Sequence, residues 1–404
     1  MPTIKFFTLG CKVNQYDTQS IRERFLERGF SEVKDNEKAD AYLINTCTVT
    51  SSADHKSRAL IRSFIRENPK AEIIVTGCMV KYDRDLLLGI KGVSLIVSKS
   101  FFCEGVTDFQ GHTRAFLKIQ DGCDNFCSYC KVPLVRGRSR SRPLNTVIKE
   151  GEALAAKGFK EIVLTGICLG SYGKDIGKST DLSKVITGLE KIKGLLRIRL
   201  SSIEAGDVTD KLIALMAKSK KLCPHLHIPI QSGDDEILKK MKRKYTRKFY
   251  LDLIRKIRKN VPAVSITTDC LLGFPQESEK NFHNTLTLVK KIVPLKTHIF
   301  PYSARKGTLA YKFEGENSQS LVQERCRRLK DVCVKAALSY KKSFLNKTVK
   351  VLIEGKVKQS SNLWQGYSDN YLRVFVDSKA NLKNKIVSLK LKEIKGDFII
   401  GRMV

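Results

Sequence analysis

Three times within the first ninety residues the hydrophobic pattern passes from a two-residue period to a 3.6-residue one. That alternation limits the possible folds more than any other feature. Residues 3–9 (TIKFFTL) read as a strand. A helix follows from about Tyr16 to Arg28, with Ile21, Phe25 and Leu26 on one stripe. Ala41–Asn45 and Glu72–Thr76 are further strands, and Ser57–Glu67 and Tyr82–Gly89 further helices. Strands and helices alternating at these lengths predict an α/β fold built on a doubly wound parallel sheet.

Residues 98–113 carry Gly and small polar residues and predict a linker. From Arg114 the alternation resumes: AFLKIQ, a basic loop, a helix from Leu144 to Lys157, then EIVLTG, LLRIRLSS, HLHIPIQ, SITTDCLLGF and THIFPYS with helices between them. Some six βα units over about 220 residues predict a barrel or partial barrel. A Lys- and Arg-rich helix is predicted from Gln319 to Phe344. The last stretch (TVKVLIEGKV, LRVFVD, KIVSLKLKEI, DFIIGRMV) has strands and turns only, a small all-β module of OB-like size. The expected domains are 1–100, 113–340 and 343–404, which suits a chain of 404 residues.

Charge and apolar run length bound the function. Lys and Arg number 74 against 41 Asp and Glu, a net charge of +33. Self-repulsion of that size is offset by a polyanion, so nucleic acid is the favoured partner. A surface tuned for solubility is the bland alternative. An anionic membrane is a weaker one, because no basic amphipathic helix with an aromatic face stands out. The longest apolar runs are strand-length, so no bilayer span is expected. The N-terminus lacks a signal-peptide layout, and the expected compartment is the cytoplasm.

Twelve cysteines in such a chain argue for metal ligands, reactive thiols or small core residues before disulfides. Cys123, Cys127 and Cys130 have gaps of three and then two residues, directly after the strand AFLKIQ. A loop of that spacing can turn three thiolates toward one point at a strand's carboxyl end, where βα folds place their chemistry. Three thiolates can hold three corners of a 4Fe-4S cluster and leave the fourth iron open. A closed zinc site would need a fourth ligand, which is not near in sequence. Cys11, Cys47 and Cys78 each follow one of the first three strands, with Gly10 and Gly77 easing two of the turns. Carboxyl ends of neighbouring parallel strands share an edge, so these three could hold a second cluster or be separate core thiols.

The triplet C-x3-C-x2-C after the first strand of a βα barrel resembles the radical S-adenosylmethionine superfamily. Thr8-Leu-Gly-Cys-Lys-Val-Asn-Gln-Tyr16, Asn45-Thr-Cys47, Thr76-Gly-Cys78, Ser-Arg-Pro143, Leu164-Thr-Gly166, His227–Gly233 and Pro301–Arg305 resemble the radical methylthiotransferases over nearly the whole chain. The segment Gly366–Tyr371 resembles the TRAM RNA-binding module. That resemblance implies two 4Fe-4S clusters and S-adenosyl-L-methionine as cofactors. It implies a radical cluster on Cys123, Cys127 and Cys130 and a sulfur-delivering cluster on Cys11, Cys47 and Cys78. Residues at the barrel mouth would hold the cofactor: Ser202 and Glu204, Gln231, Ser232 and Gly233, and Gly273, Phe274 and Pro275. The Leu-Gly-Cys-Lys-Val-Asn-Gln-Tyr string resembles the branch acting on N6-threonylcarbamoyladenosine at tRNA position 37. Rival branches act on isopentenyladenosine there or on a ribosomal-protein aspartate. The tRNA anticodon loop and an electron donor such as flavodoxin or ferredoxin are the implied partners. The family often has His or Asn at Cys168, Pro at Ala205 and Gly at Gln276. From the residues alone, a non-catalytic RNA-binding protein with structural zinc stays open.

Arg136, Arg138, Arg140 and Arg142 alternate after the cluster loop, so an extended segment would set four guanidinium forks on one face, toward phosphates; a solvated loop, or contacts to carboxylates and the cofactor, is the bland alternative. Lys347, Lys350, Lys356 and Lys358 lie near Trp364, Tyr367 and Tyr371, a mixture suited to base stacking and backbone contact, although the aromatics could be core. Cys103, Cys223, Cys270, Cys326 and Cys333 have no partner at ligand spacing and read as structural. Cys168 should face the barrel mouth. His225 and His227 read as core or turn residues.

Overall fold

The computed structural model describes residues 1–34, 36–97, 105–177, 180–358, 360 and 362–404. Cys103 and the first part of the predicted linker lie outside them. The amino-terminal unit runs β1 (Thr3–Thr8), α1 (Lys12–Glu27), β2 (Ser31–Glu32), β3 (Ala41–Thr46), α2 (Ser51–Glu67), β4 (Glu72–Gly77), α3 (Cys78–Tyr82), α4 (Arg84–Leu88) and β5 (Leu95–Ile96). The strands pair in parallel in the order β2-β1-β3-β4-β5. Alternate residues of β3 feed two cores. Ala41 and Leu43 pack with Ile21 and Phe25 of α1, and Tyr42 and Ile44 with Ile61 and Phe64 of α2. Both faces of the sheet are therefore covered, as purely parallel sheets require.

Helix α2 starts six residues before the predicted start, because Thr50 caps it by accepting from Ala53 N. Helix α1 also starts earlier than predicted. Its first turns carry the polar residues Asn14, Asp17 and Ser20, outside the Ile21, Phe25 and Leu26 stripe. The structure buries all three.

The central unit comprises β6 (Ala115–Lys118), β7 (Gln120–Asp121), α5 (Val132–Arg136), β8 (Arg140–Ser141), α6 (Leu144–Ala156), β9 (Glu161–Thr165), α7 (Leu182–Glu190), β10 (Arg197–Leu200), α8 (Asp210–Lys218), β11 (His225–His227), α9 (Asp235–Lys240), α10 (Arg247–Asn260), β12 (Ser265–Leu272), α11 (Glu279–Ile292), β13 (Lys296–Pro301) and α12 (Gln319–Lys342). Two parallel three-stranded sheets, β6-β9-β10 and β11-β12-β13, join through parallel bridges Ile198↔Leu222 and Ser202↔His227. The result is a curved six-stranded parallel wall. Among the described residues β6 and β13 do not pair, and the wall stays open between them.

The first-strand edge is covered by α1. Tyr16 of α1 joins the barrel's own core and donates to Glu150 Oε1 at 2.8 Å. Asp17, 3% exposed, pairs with Lys118 of β6 and with Arg136 Nη2 at 3.3 Å. From the opposite edge, the loop after β13 sends Arg305 to Asp54 and to the Thr48 carbonyl at 3.0 Å.

The carboxyl-terminal strands, β14 (Thr348–Lys356), β15 (Leu363–Ser368), β16 (Arg373–Asp377), β17 (Ile386–Lys395) and β18 (Phe398–Met403), close into a barrel in the order β14-β15-β16-β18-β17. Strand β15 was not predicted, since Gly366 and Ser368 read as turn residues. A Cβ at Gly366 would stand 2.1 Å from the Leu352 carbonyl oxygen, so glycine there lets two strands close up.

This small barrel seats against the amino-terminal ends of the central strands. Arg197 donates to the carbonyls of Tyr367 (3.0 Å) and Lys350 (2.7 Å), and Arg199 to those of Asp369 (2.8 Å) and Ser368 (3.1 Å). Glu161, fully buried, holds Arg199 at 2.6 Å and offsets its burial.

Candidate active site

The loop carrying Cys123, Cys127 and Cys130 leaves β7 at the carboxyl end of the wall. Gly122, at φ 74°, makes its first turn, where a Cβ would stand 1.9 Å from the Arg138 carbonyl oxygen. The Asn125 backbone N–H donates to Cys123 Sγ at 3.5 Å, and Arg243 Nη1 to Cys127 Sγ at 3.2 Å. Arg243 is held in turn by Glu204, beyond the end of β10. A guanidinium and an amide N–H beside thiols favour the thiolate form that binds metal.

Cys168 enters the same cluster of groups. Its Sγ receives the Asn125 Nδ2 donor at 3.6 Å and lies 3.7 Å from Asp207 Oδ2. Its hydrogen bond to Cys123, with the Asn125 N–H, brings the Cys123 pKa below the usual thiol value, and the same bond and burial push Cys168 up. Burial pushes Cys130 up to about 12. In iron-free protein near pH 8, iodoacetamide should therefore label Cys123 well before Cys130, read by peptide mass spectrometry. Replacing Cys168 by Ala should slow labelling of Cys123.

The second trio is drawn together by Asn14, one turn after Cys11. Its Nδ2 donates to the Leu9 carbonyl (2.7 Å) and to the Thr46 carbonyl beside Cys47 (3.0 Å). Its Oδ1 receives Cys78 Sγ at 3.8 Å and Arg136 Nη2 at 2.6 Å. Two left-handed glycines let the turns meet. A Cβ on Gly10 (φ 99°) would stand 3.0 Å from Cys47 Sγ, and one on Gly77 (φ 107°) 2.4 Å from Thr46 N.

The second trio lines a cavity of about 660 Å³, within the range of a ligand site, and the first trio reaches it only through α5, whose Val132 stands two residues after Cys130. Cys11, Cys47 and Cys78 line its side through the gap between β6 and β13. The five-residue α5 (about 7.5 Å long) lies between the trios. It begins two residues after Cys130, lends Val132 and Val135 to the cavity wall, and ends at Arg136 beside Asn14. Tyr371, Arg199 and His225 form the floor, with Tyr371 stacked on His225 at 4.4 Å between centroids. His227 spans Asp269 Oδ2 (3.2 Å) and Thr267 Oγ1 (2.9 Å) on the wall.

A zinc ion holds its ligands within about 2.0–2.3 Å. Among the described residues no three Cys, His, Asp or Glu side chains gather closely enough for a single ion. A cubane is larger and takes one thiolate at each of three separate corners. Two trios of free thiols, each on turns at strand ends and each beside a guanidinium, fit that group.

The comparisons with known proteins agree. Residues 3–98 match the model described as "Uncharacterized protein family UPF0004", and 117–289 match the Radical SAM superfamily. A threonylcarbamoyladenosine tRNA methylthiotransferase MtaB of Bacillus subtilis is 39% identical over 100% of this chain and 97% of its own length. This chain belongs to the radical S-adenosylmethionine methylthiotransferases. The MtaB of Chlamydia pneumoniae is 36% identical over 100% and 98% of the two chains. A tRNA-2-methylthio-N(6)-dimethylallyladenosine synthase of Acetivibrio thermocellus is 32% identical over 98% and 90%. The solved radical S-adenosylmethionine methyltransferase TsrM of Kitasatospora setae superposes with a TM-score of 0.52 at 13% identity, over 74% of this chain and 73% of that one, a likeness of fold. The family implies S-adenosylmethionine and a 4Fe-4S cluster.

The other predicted residues of this methylthiotransferase fall into two groups. Ser202 lines the cavity, and Glu204 holds the arginine on Cys127. Gln231 sits at a strand end with φ 63°, bridged to Cys270. The rest support turns. Gly233 donates to Thr285 Oγ1 at 2.9 Å, in a space that a Cβ could not share with the Thr285 backbone. Ser232 and Phe274 are fully buried, and Pro275 is buried. Gly273 N donates to Glu277, which Arg325 of α12 grips at 3.0 Å. Gln276 holds φ 64° where the family often has Gly.

The four arginines do not share a face. Arg136 ends a helix, buried against Asp17, Asp121 and Asn14, and Arg142 is bound to Glu150, Tyr16 and the Lys118 carbonyl. Both serve to join α1 to the barrel. Arg138 and Arg140 are exposed. Tyr367 and Tyr371, both half-buried, stack on each other at 4.9 Å beside Arg114, and Tyr371 lines the cavity. Lys347 and Lys350 stay exposed and border a groove with Lys220 and Lys221. Sequence reasoning missed Arg243, Asn14 and Arg199. Asn14 lay inside a quoted motif, whereas Arg243 sits in a plain basic run, Lys242–Lys244, with no spacing to mark it.

Proposed function

We propose that this chain converts N6-threonylcarbamoyladenosine at position 37 of tRNA to its 2-methylthio derivative, by exchanging the C2–H bond for a methylthio group. The observation that carries the reading is two separate thiol trios joined by α5, which borders the cavity that Cys11, Cys47 and Cys78 line. When bound, a 4Fe-4S cluster with S-adenosylmethionine on one side and a second cluster on the other would supply radical and sulfur chemistry. Cys123, Cys127 and Cys130 are the ligands on the first side, with Arg243 and the Asn125 N–H balancing thiolate charge. Cys11, Cys47 and Cys78 are the ligands on the second, held in register by Asn14. The wall residues and Tyr371 line the cavity beside the second trio.

The substrate branch rests on relatives of that name at 36–39% identity, against 31–34% for dimethylallyladenosine synthases. We assign the boundaries 1–100, 113–340 and 343–404 to a sulfur-delivering unit, a radical unit and a TRAM-like unit. Arg138 and Arg140 beside the cysteine loop, and Lys347 and Lys350 on the small barrel, are the proposed contacts to the anticodon arm. A flavodoxin or ferredoxin would deliver electrons, and the cytoplasm is the proposed compartment. No helix among the described residues is long and apolar enough to cross a membrane.

Nucleoside mass spectrometry of tRNA from a deletion strain tests this. The 2-methylthio-N6-threonylcarbamoyladenosine signal should disappear and its unmethylthiolated precursor accumulate. Loss of the dimethylallyl derivative alone would overturn the assignment.

A further inference from the structure

Most cations of the central cavity are already matched. Arg199 is held by Glu161, Arg114 by Glu354 at 2.6 Å, and Arg136 by Asp17 and Asp121. Asp269 is engaged by His227. Lys12, the first residue of α1, and Lys296, on the open-edge strand β13, line the same cavity, and among the described residues neither has an acidic partner. Lys12 sits where α1 and the barrel lumen meet. Its charge acts on His225 of β11, His298 of β13 and Tyr371 of the small barrel. Burial alone would raise the Tyr371 hydroxyl, yet Arg114 and Lys12 bring it below the ordinary tyrosine value. The lumen is thus electropositive. Residues 296, 298 and 300 of β13 share one face, placing Lys296, His298 and Phe300 along the cavity.

Unpaired lysines in a concave, partly apolar pocket suit a ligand with a flat ring and one anionic arm. We propose that Lys12, seconded by Lys296, is the specificity-determining cation that receives the carboxylate of the substrate's N6 substituent. The inference rests on the threonylcarbamoyladenosine reading above and deepens it. An N6-dimethylallyl group offers no charge to either lysine, and both are exposed, so each then keeps its water. Selection for the acid then comes from the new charge-assisted contact.

The test compares two anticodon stem-loops, one bearing N6-threonylcarbamoyladenosine and one with its carboxylate converted to the primary amide. Reconstituted wild-type enzyme should prefer the acid by roughly tenfold to a hundredfold in kcat/KM, chiefly through KM, the range of a hydrogen bond to a charged group. Fluorescence anisotropy without reductant should give the same order of Kd. Lys12→Gln should lose the preference while keeping the wild-type iron content, and Lys12→Arg should keep it. Equal use of acid and amide by wild type overturns this inference while leaving the substrate reading standing. So does a Lys12→Gln variant that still discriminates fully. A wild-type enzyme that modifies neither stem-loop overturns the substrate reading, and this inference with it.

Discussion

Cys127→Ala should abolish both cleavage of S-adenosylmethionine and methylthiolation of tRNA, whereas Cys47→Ala should abolish methylthiolation and leave reductive cleavage in place. The asymmetry follows from where the two thiols stand. Cys127 lies on the loop at the carboxyl end of the barrel, beside Arg243 and within the group that includes Cys123 and Cys168. Cys47 follows β3 of a different sheet, and its ties are to Ser57 and the Gly10 turn. Neither side chain props up a large core, so a fall in activity would report lost ligands more than lost folding. The assay is chromatography of 5′-deoxyadenosine and of tRNA nucleosides from the same reaction. Loss of at least about a thousandfold in methylthiolation is expected for each variant, since a missing cluster leaves no alternative route.

Asp17→Asn should cost about 3–5 kcal/mol of stability, the usual penalty for removing one member of a buried ionic group. Asp17 is 3% exposed and faces two cations from the barrel, Lys118 and Arg136, both nearly buried themselves. Asparagine has nearly the same shape but cannot offset those charges. The damage should spread to function, because Arg136 also donates to Asn14 at 2.6 Å, the residue that positions the Cys11, Cys47 and Cys78 turns. The expected result is an earlier urea midpoint together with loss of iron from that trio. A variant with the wild-type midpoint would show that Asp17 does not hold α1 on the barrel.

The two α/β units were legible because their strands are short apolar runs and their helices carry single stripes. Cys123, Cys127 and Cys130 stand out in the sequence by their spacing on one loop, and Cys11, Cys47 and Cys78 by each coming after one of three successive strands. What escaped is what depends on contact between units. Asn14, Asp17 and Ser20 look like a hydrated helix face, and only the barrel packed against α1 gives them partners. Arg136 and Arg142 look like phosphate contacts, because a sequence shows their charge and not the Asp17 and Glu150 that absorb it. Tyr371 looks like a stacking platform on an exposed barrel. Its left-handed φ of 67° turns it instead onto His225, under the cavity. Gly233 and Gly273 look like cofactor turns, and they are also places where α11 and α12 approach too closely for any side chain.

The most direct measurement is the iron and acid-labile sulfide content of anaerobically reconstituted protein, for wild type and for two triple-alanine variants, one per trio. Two cubanes require about eight iron and eight sulfide per wild-type chain, and about four of each in either variant. Stoichiometric zinc, or a wild-type chain holding only four iron that one of the two triple variants keeps in full, would contradict a site built on two clusters.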